Sequence, residues 1–309
     1  MARKSEAGKV GETASEKRGK QTAARKLRKE VGETKTIRTP PKDRESDLDR
    51  APKWEPRYAG SDRLKDKVAI VTGGGSGFGA GIARRFAGEG AKVVVNDINA
   101  EGGARVAKEV GGEFVQADVA KAADWAKLVA ASTAQYGRLD IVVNNAGWTH
   151  RNKPYLEVTE AEFDKVYAIN VKSIYLSALH ALPVMRKQGG GCFVNIASTA
   201  GLRPRPGLTV YNSSKGAVIL MSKSMAAEFG PDKVRVNCVN PVFSPETALS
   251  ADFAGGAVTE EAKKRFLATI PLGRFSTPLD VANASLFLAS DEAAMVSGTC
   301  IEVDGARCV

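Results

Sequence analysis

The chain has 309 residues, 43% of them hydrophobic and 26% charged, enough for a large domain with a real core. No uncharged apolar run reaches the ~18 residues of a membrane span, and the opening MARKSEAGKV has no apolar stretch, so neither a membrane helix nor a secretory leader is expected. The net charge of +10 sits mostly at the front: residues 1–60 carry 17 Lys/Arg against 10 Asp/Glu and the remainder 28 against 25, so the body of the chain is not expected to bind nucleic acid.

Residues 1–61 scatter a few apolar anchors among charges, with Pro40, Pro41, Pro52 and Pro56 in the second half. Such a segment buries too little area to offset its ordering entropy, and a basic extension is predicted. An arm onto a partner subunit, or a tether for an acidic partner or nucleic acid, stays open for this part alone. From Leu64 onward, short β-branched runs alternate with amphipathic stretches. The runs are 68–72, 92–96, 113–117, 141–144, 192–196, 234–239 and 299–303. Helices are predicted over 78–89, 101–110, 121–136, 159–187, 209–230 and 278–290. This alternation predicts a single α/β domain over 62–309: a Rossmann-type, doubly wound, seven-stranded parallel sheet with helices on both faces. Residues 243–276, with Ser244, Pro245, Gly255, Gly256 and Pro271, read as a mobile loop over a site. The four cysteines form no CxxC pair and share no zinc-type spacing with His150 or His180. Reduced thiols, a cytoplasmic location and no metal are expected.

The first strand runs into Thr72-Gly-Gly-Gly-Ser-Gly-Phe-Gly79 and then a helix. Gly73, Gly75, Ser76, Gly77, Phe78 and Gly79 would let backbone N–H groups approach a pyrophosphate at the positive helix N-terminus. Asp97 and Ile98 close the second strand, about 20 positions on. A carboxylate there accepts from ribose hydroxyls and repels a 2′-phosphate, so NAD is favoured over NADP. Asp118-Val119 and Asn145-Ala146-Gly147 follow the third and fourth strands, at the sheet edge where open α/β sheets place ligands. Asp118 could accept from the adenine amino group.

Tyr211 and Lys215 share a helix face at a spacing of four. Hydride transfer at a carbinol needs a proton partner, and an ammonium beside a phenol lowers its pKa toward a useful range. Ser198 could hold the substrate oxygen, and Asn170 could fix a relay water behind Lys215.

The ordered set TGxxxGxG, DV, NNAG, Asn, Ser and YxxxK resembles the short-chain dehydrogenase/reductase family over about residues 62–309. The likeness is to the branch with 3-oxoacyl carrier-protein reductases and glucose or polyol dehydrogenases. It implies a catalytic tetrad of Asn170, Ser198, Tyr211 and Lys215. It also implies cofactor contacts from Pro241, Val242 and Thr247, although Asn240-Pro241-Val242 stands where the family often has Pro-Gly. Val303-Asp304-Gly305-Ala306 stands where the family has VDGG. The family usually forms homotetramers through helices like those at 159–187 and 209–230 and the C-terminal strand. An NAD-linked dehydrogenase of a secondary alcohol, polyol or hydroxyacyl compound is the preferred reading. An NADPH-linked 3-oxoacyl carrier-protein reductase and a non-catalytic cofactor-binding regulator are the alternatives. Trp148, Thr149, His150, Arg151, Leu202, Arg203 and Arg205 should shape the substrate pocket, with Ser198 and Tyr211. His150 reads more readily as a solvent-facing loop residue. Arg203 and Arg205 read equally as surface charge or as contacts for an anionic substrate or phosphopantetheine carrier.

Overall fold

Valine and isoleucine dominate the central strands, which are covered on both faces. The computed structural model describes residues Ser61–Val309, so the expected extension over 1–61 lies, apart from Ser61, outside the described residues. The strands are β1 (Val68–Thr72), β2 (Lys92–Asp97), β3 (Glu113–Gln116), β4 (Ile141–Asn144), β5 (Gly191–Ile196), β6 (Val234–Pro241) and β7 (Cys300–Val303). They form one parallel sheet in the order β3-β2-β1-β4-β5-β6-β7. Every residue of β1 and β4 is buried, as a sheet sandwiched between helices requires. The chain reverses direction across the sheet between β1 and β4, and that reversal leaves a crevice at the strand C-termini.

The helices are α1 (Gly77–Gly88), α2 (Ala100–Val110), α3 (Ala122–Tyr136), α4 (Glu160–Tyr167), α5 (Ser173–Gln188), α6 (Thr209–Phe229), α7 (Ser250–Ala254), α8 (Glu260–Leu267) and α9 (Pro278–Ala289). One core layer gathers Trp125, Leu128, Met185, Phe193 and Phe229; the other gathers Leu64, Ile82, Phe86, Val143 and Leu286.

Two expectations change. The helix predicted over 159–187 runs without a break, but it widens over Ala168–Lys172, between α4 and α5, in a turn that buries Asn170. Its start is well specified: Thr159 and Glu162 form a reciprocal cap, and Lys153 holds the Glu162 carboxylate so firmly that its pKa falls to about 2. The segment 243–276 holds two short helices instead of a continuous loop. Thr259 caps α8, Glu260 and Glu261 sit in its first turn, and Lys264 and Arg265 in its last. Those signals outweigh the Ser, Pro and Gly content that suggested a loop. Phe243, Phe253, Phe266 and Phe275 pack there around Ile270 as a third cluster.

The turn after β7 stores strain. Ala306 has φ 69°, a left-handed conformation that costs an L-residue ~1–2 kcal/mol. Asp304 holds it there by accepting from the N–H groups of Ala306 and Cys308 at 2.9 and 2.8 Å. Glycine relieves the strain at some entropic cost, so Ala306→Gly should stabilise the protein by ~0.5–1 kcal/mol. Thermal unfolding should show a melting temperature about 1–2 °C higher. A lower melting temperature would mean the turn carries no strain.

Candidate active site

The crevice opens into a cavity of about 480 Å³ that runs from the β1–α1 turn to α6. Thr72 organises its floor: its hydroxyl donates to Val143 O and accepts from the N–H groups of Asn145 and Ala146, at 3.0 Å each. The Asn145 side chain donates back to Thr72 O and Gly73 O. The glycine turn is packed too closely for side chains. A Cβ on Gly79 would lie 2.1 Å from Gly73 O, and Gly73 itself has φ 61°. Gly73, Ser76, Gly77 and Phe78 line the cavity, whereas Gly75 packs behind the turn against α2 and Gly79 against Gly73. Ser76 makes no side-chain cap to α1, so the first-turn N–H groups face the crevice without that partner.

Asp97 stands beside this turn. One carboxylate oxygen accepts from Gly75 N–H and the other from Asn99 N–H, both at 2.9 Å. Its remaining lone pairs are open to donors in the cavity, which it lines with Ile98, Asp118 and Val119. Arg105, missed from the sequence, donates to Gly75 O at 3.2 Å but is paired with Glu109. These residues fit a dinucleotide: uncapped N–H donors for a pyrophosphate, and a carboxylate one strand over for ribose hydroxyls.

At the other end, Lys215 and Tyr211 are almost wholly buried. Lys215 Nζ donates to Ile196 O at 2.8 Å and lies 5.8 Å from the Tyr211 ring centre. Ser198 starts the short turn after β5, accepts from Ala200 N–H through its hydroxyl, and lines the cavity with Tyr211. Asn170 accepts from Trp148 N–H at 2.8 Å and donates to Trp148 O and to Ser214 Oγ. A Cβ on Gly147 would sit 3.5 Å from Asn170 Oδ1 and 3.7 Å from Lys215 Nζ. Four elements thus converge: the turn after β4, the α4–α5 junction, the end of β5 and α6.

The electrostatics differ from the simple expectation of a phenol acidified by its lysine. Burial pushes the Tyr211 pKa up to about 12, with Ser198 pulling weakly the other way. Burial also pushes Lys215 down to about 8. Both charged forms are penalised by the same apolar surroundings.

A family model described as enoyl-(acyl carrier protein) reductase matches residues 73–306. The 4-formylbenzenesulfonate dehydrogenase of Comamonas testosteroni is 55% identical over 249 residues, 79% of this chain and 98% of that protein. The chain belongs to the short-chain dehydrogenase/reductase family. The 2,5-dichloro-2,5-cyclohexadiene-1,4-diol dehydrogenase of Sphingobium indicum is 39% identical over 250 residues, 79% of this chain and 97% of its own. A 3-ketoacyl-(acyl-carrier-protein) reductase from Brucella melitensis, solved with NADH, superposes with a TM-score of 0.75 at 40% identity. That likeness covers 80% of this chain and all of the other. The protein is therefore an oxidoreductase of the dehydrogenase/reductase class acting on CH–OH groups, in a family that binds nicotinamide dinucleotides.

Within this family member, some expected positions sit elsewhere. His150 is 1% exposed, its Nδ1 against Arg151 O at 2.9 Å, so it is neither a solvent-facing residue nor part of the cavity lining. The backbone of Val242 is engaged within the fold: its N–H donates to Val303 O and its carbonyl accepts from Ser276 Oγ. Those bonds occupy the Val242 N–H but leave a second lone pair on its carbonyl oxygen, and Pro241, Val242 and Thr247 all line the cavity. Thr247 donates to Ser244 O at 3.2 Å. Trp148 and Arg205 line the cavity, and Arg151, Leu202 and Arg203 do not. Lys165, 4.2 Å from the centre of the Trp148 ring, and Phe253 and Phe266 were missed; only their long-range packing brings them here. No group of His, Cys, Asp and Glu among the described residues could hold a metal, and no described helix is long and apolar enough to cross a membrane.

The Lys215 shift carries a sign. Its folded pKa of about 8 lies below its ordinary 10.5, so between these values the unfolded chain binds a proton that the folded chain has released. Stability therefore rises with pH across that window. Replacing the ammonium by Lys215→Met should stabilise the protein at pH 7 by on the order of 2 kcal/mol, after the lost bond to Ile196 O. Urea unfolding should show that gain shrinking between pH 8 and 10, below the range where Tyr211 begins to act. A gain that stays constant with pH would contradict a buried, charge-penalised lysine.

Proposed function

We propose that the chain is an NAD-linked dehydrogenase interconverting a secondary alcohol and a ketone, with Asn170, Ser198, Tyr211 and Lys215 as its working group. The observation that carries this reading is convergence. A phenol, a hydroxyl and an ammonium meet at one end of a cavity whose other end is the glycine turn at α1. A nicotinamide bound between them would take or give the hydride. Tyr211 Oη takes the proton from the substrate hydroxyl, or returns it to the carbonyl oxygen. Ser198 holds that oxygen beside the phenol. Lys215 stabilises the phenolate and reaches toward the ribose side of the cavity. Asn170 fixes the backbone of Trp148 and, through Ser214, the first turns of α6. With Tyr211 pushed up to about 12, a bound positive nicotinamide acts in the same direction as Lys215 to bring the phenol within reach of neutral pH.

Asp97 supports NAD over NADP, because both its oxygens are already aimed by backbone donors. Arg105 favours the second reading, an NADPH-linked 3-oxoacyl reductase, but Glu109 compensates it. The relatives named for 4-formylbenzenesulfonate and a chlorinated cyclohexadienediol support a ring-bearing substrate and a catabolic direction. A cytoplasmic homotetramer fits as well: Phe163, Tyr175, Leu179 and Leu220 are exposed along α4, α5 and α6.

Tyr211→Phe should lower turnover of a panel of cyclic and aryl carbinols about 10³-fold while NADH fluorescence titration shows near-native binding. Wild-type rates in that variant would remove Tyr211 from the chemistry. Cofactor binding by the wild type without turnover on any carbinol would instead favour the regulator reading. Asp97→Ala should lower the NAD-to-NADP ratio of kcat/KM by about tenfold or more, the loss of charge-assisted hydrogen bonds to a ribose. An unchanged ratio would overturn the role of Asp97.

A further inference from the structure

Arg205 lies six residues before Tyr211, in the loop leading into α6, and its side chain borders the substrate end of the cavity. Among the described residues no carboxylate pairs with it. Its backbone is pinned by Asn212 Nδ2, which donates to Arg205 O at 2.8 Å. Its guanidinium stacks on Phe266, 4.3 Å from the ring centre. The neighbouring arginines do not compensate it: Arg203 and Arg307 bond each other's backbone carbonyls. Burial, then Arg307, then Arg203 push the Arg205 pKa down to about 10, which leaves it charged at neutral pH. A half-buried guanidinium between two like charges is unfavourable unless an anion arrives.

The space between this cation and the catalytic phenol is walled by aromatic rings. Tyr211 and Phe253 lie 5.0 Å apart edge-on, Phe253 and Phe243 6.4 Å, and Phe243 and Phe266 stack at 4.0 Å. Phe266 then carries Arg205. Flat apolar faces lead from the reacting end to the positive end, and an aryl group with an oxyanion opposite its reacting carbon matches both.

We propose that Arg205 is the specificity-determining residue of this site, binding the sulfonate or carboxylate of an aryl substrate whose ring lies along Phe253, Phe243 and Phe266. The proposal rests on the dehydrogenase reading for the position of the reacting carbon, but the anion site itself does not need turnover. Two measurements separate them.

The first compares reduction of 4-acetylbenzenesulfonate and acetophenone by NADH. Wild type should favour the sulfonate, chiefly through KM. Arg205→Met should reduce that preference about 10- to 100-fold, the range for losing a charge-assisted hydrogen bond. Arg205→Lys should recover part of it, since an ammonium keeps the charge without the planar fork. The second is calorimetric titration of unreactive 4-toluenesulfonate into each protein. Its affinity should fall by a similar factor in Arg205→Met and weaken with added salt in the wild type only.

Sulfonate binding that depends on Arg205 without reduction of either ketone would sink the dehydrogenase reading and keep the anion site. Reduction of both ketones with the same preference in wild type and Arg205→Met would sink the anion site alone. So would wild type that does not bind 4-toluenesulfonate. Loss of preference only with a phosphopantetheine 3-oxoacyl thioester would overturn the aryl substrate and assign Arg205 to a carrier.

Discussion

The Lys215 ammonium is buried between the end of β5 and α6 with no carboxylate partner among the described residues. Its one fixed acceptor is Ile196 O at 2.8 Å. Removing a cation from water costs several kcal/mol, and a single carbonyl offsets only part of that. The fold tolerates this because the surrounding sheet is well buried and the sheet edge is where a ligand must sit. The position of the ammonium constrains its neighbours in turn. Ile196 must end β5 where it does, which places Ser198 just beyond. Tyr211, one helical turn before Lys215, must face the same crevice. The wider turn between α4 and α5 lets Asn170 hold Trp148 and Ser214 at once.

Charge is distributed unevenly along the cavity. At the α1 end, uncapped N–H groups and the helix dipole favour an anion, and Asp97 beside them favours donors. Toward the α6 end, Lys215, Arg205 and Lys165 supply three cations to the lining, and no acid among the described residues pairs with Lys215 or Arg205. In the proposed reading, a dinucleotide brings its pyrophosphate to the first end and a positive nicotinamide toward the second. The resulting concentration of positive charge makes a negatively charged substrate favourable there, and it also favours the phenolate of Tyr211. Recognition of an anion and acidification of the phenol would then draw on the same field.

Much of this was legible from residue order alone. The inner strand runs are rich in β-branched residues and buried on both faces, so their pattern was visible without tertiary information; six helices followed from the stretches between them. The glycine turn and the Tyr211–Lys215 pair are local patterns whose spacing fixes a shared face. What escaped was set by contacts between distant segments. The wider turn at Ala168–Lys172 leaves no Pro or Gly signal, and Asn170 within it bonds to Trp148 and Ser214, far away in sequence. The two helices within 243–276 are short enough that Ser, Pro and Gly dominated the local composition. His150 reads as polar loop in sequence, yet the chain folds over it. Val242 was matched to a family position, but β7 takes its N–H.

The segment carrying α7 and α8 links packing to acid–base chemistry without contributing a titratable group. Burial is the main cause of the raised Tyr211 pKa, and Phe253 from α7 packs edge-on against that ring. Phe253 in turn rests on Phe243, which stacks on Phe266 from α8, the ring under Arg205. Any rearrangement that lifts α7 hydrates the phenol and shifts its proton affinity downward, because the loss of water around the ring is what chiefly opposes its ionisation. A rearrangement that carries α8 along also removes Phe266 from beneath the guanidinium. A segment whose sequence suggests only a cover therefore couples, in the proposed reading, the phenol that moves the proton to the guanidinium that selects the substrate.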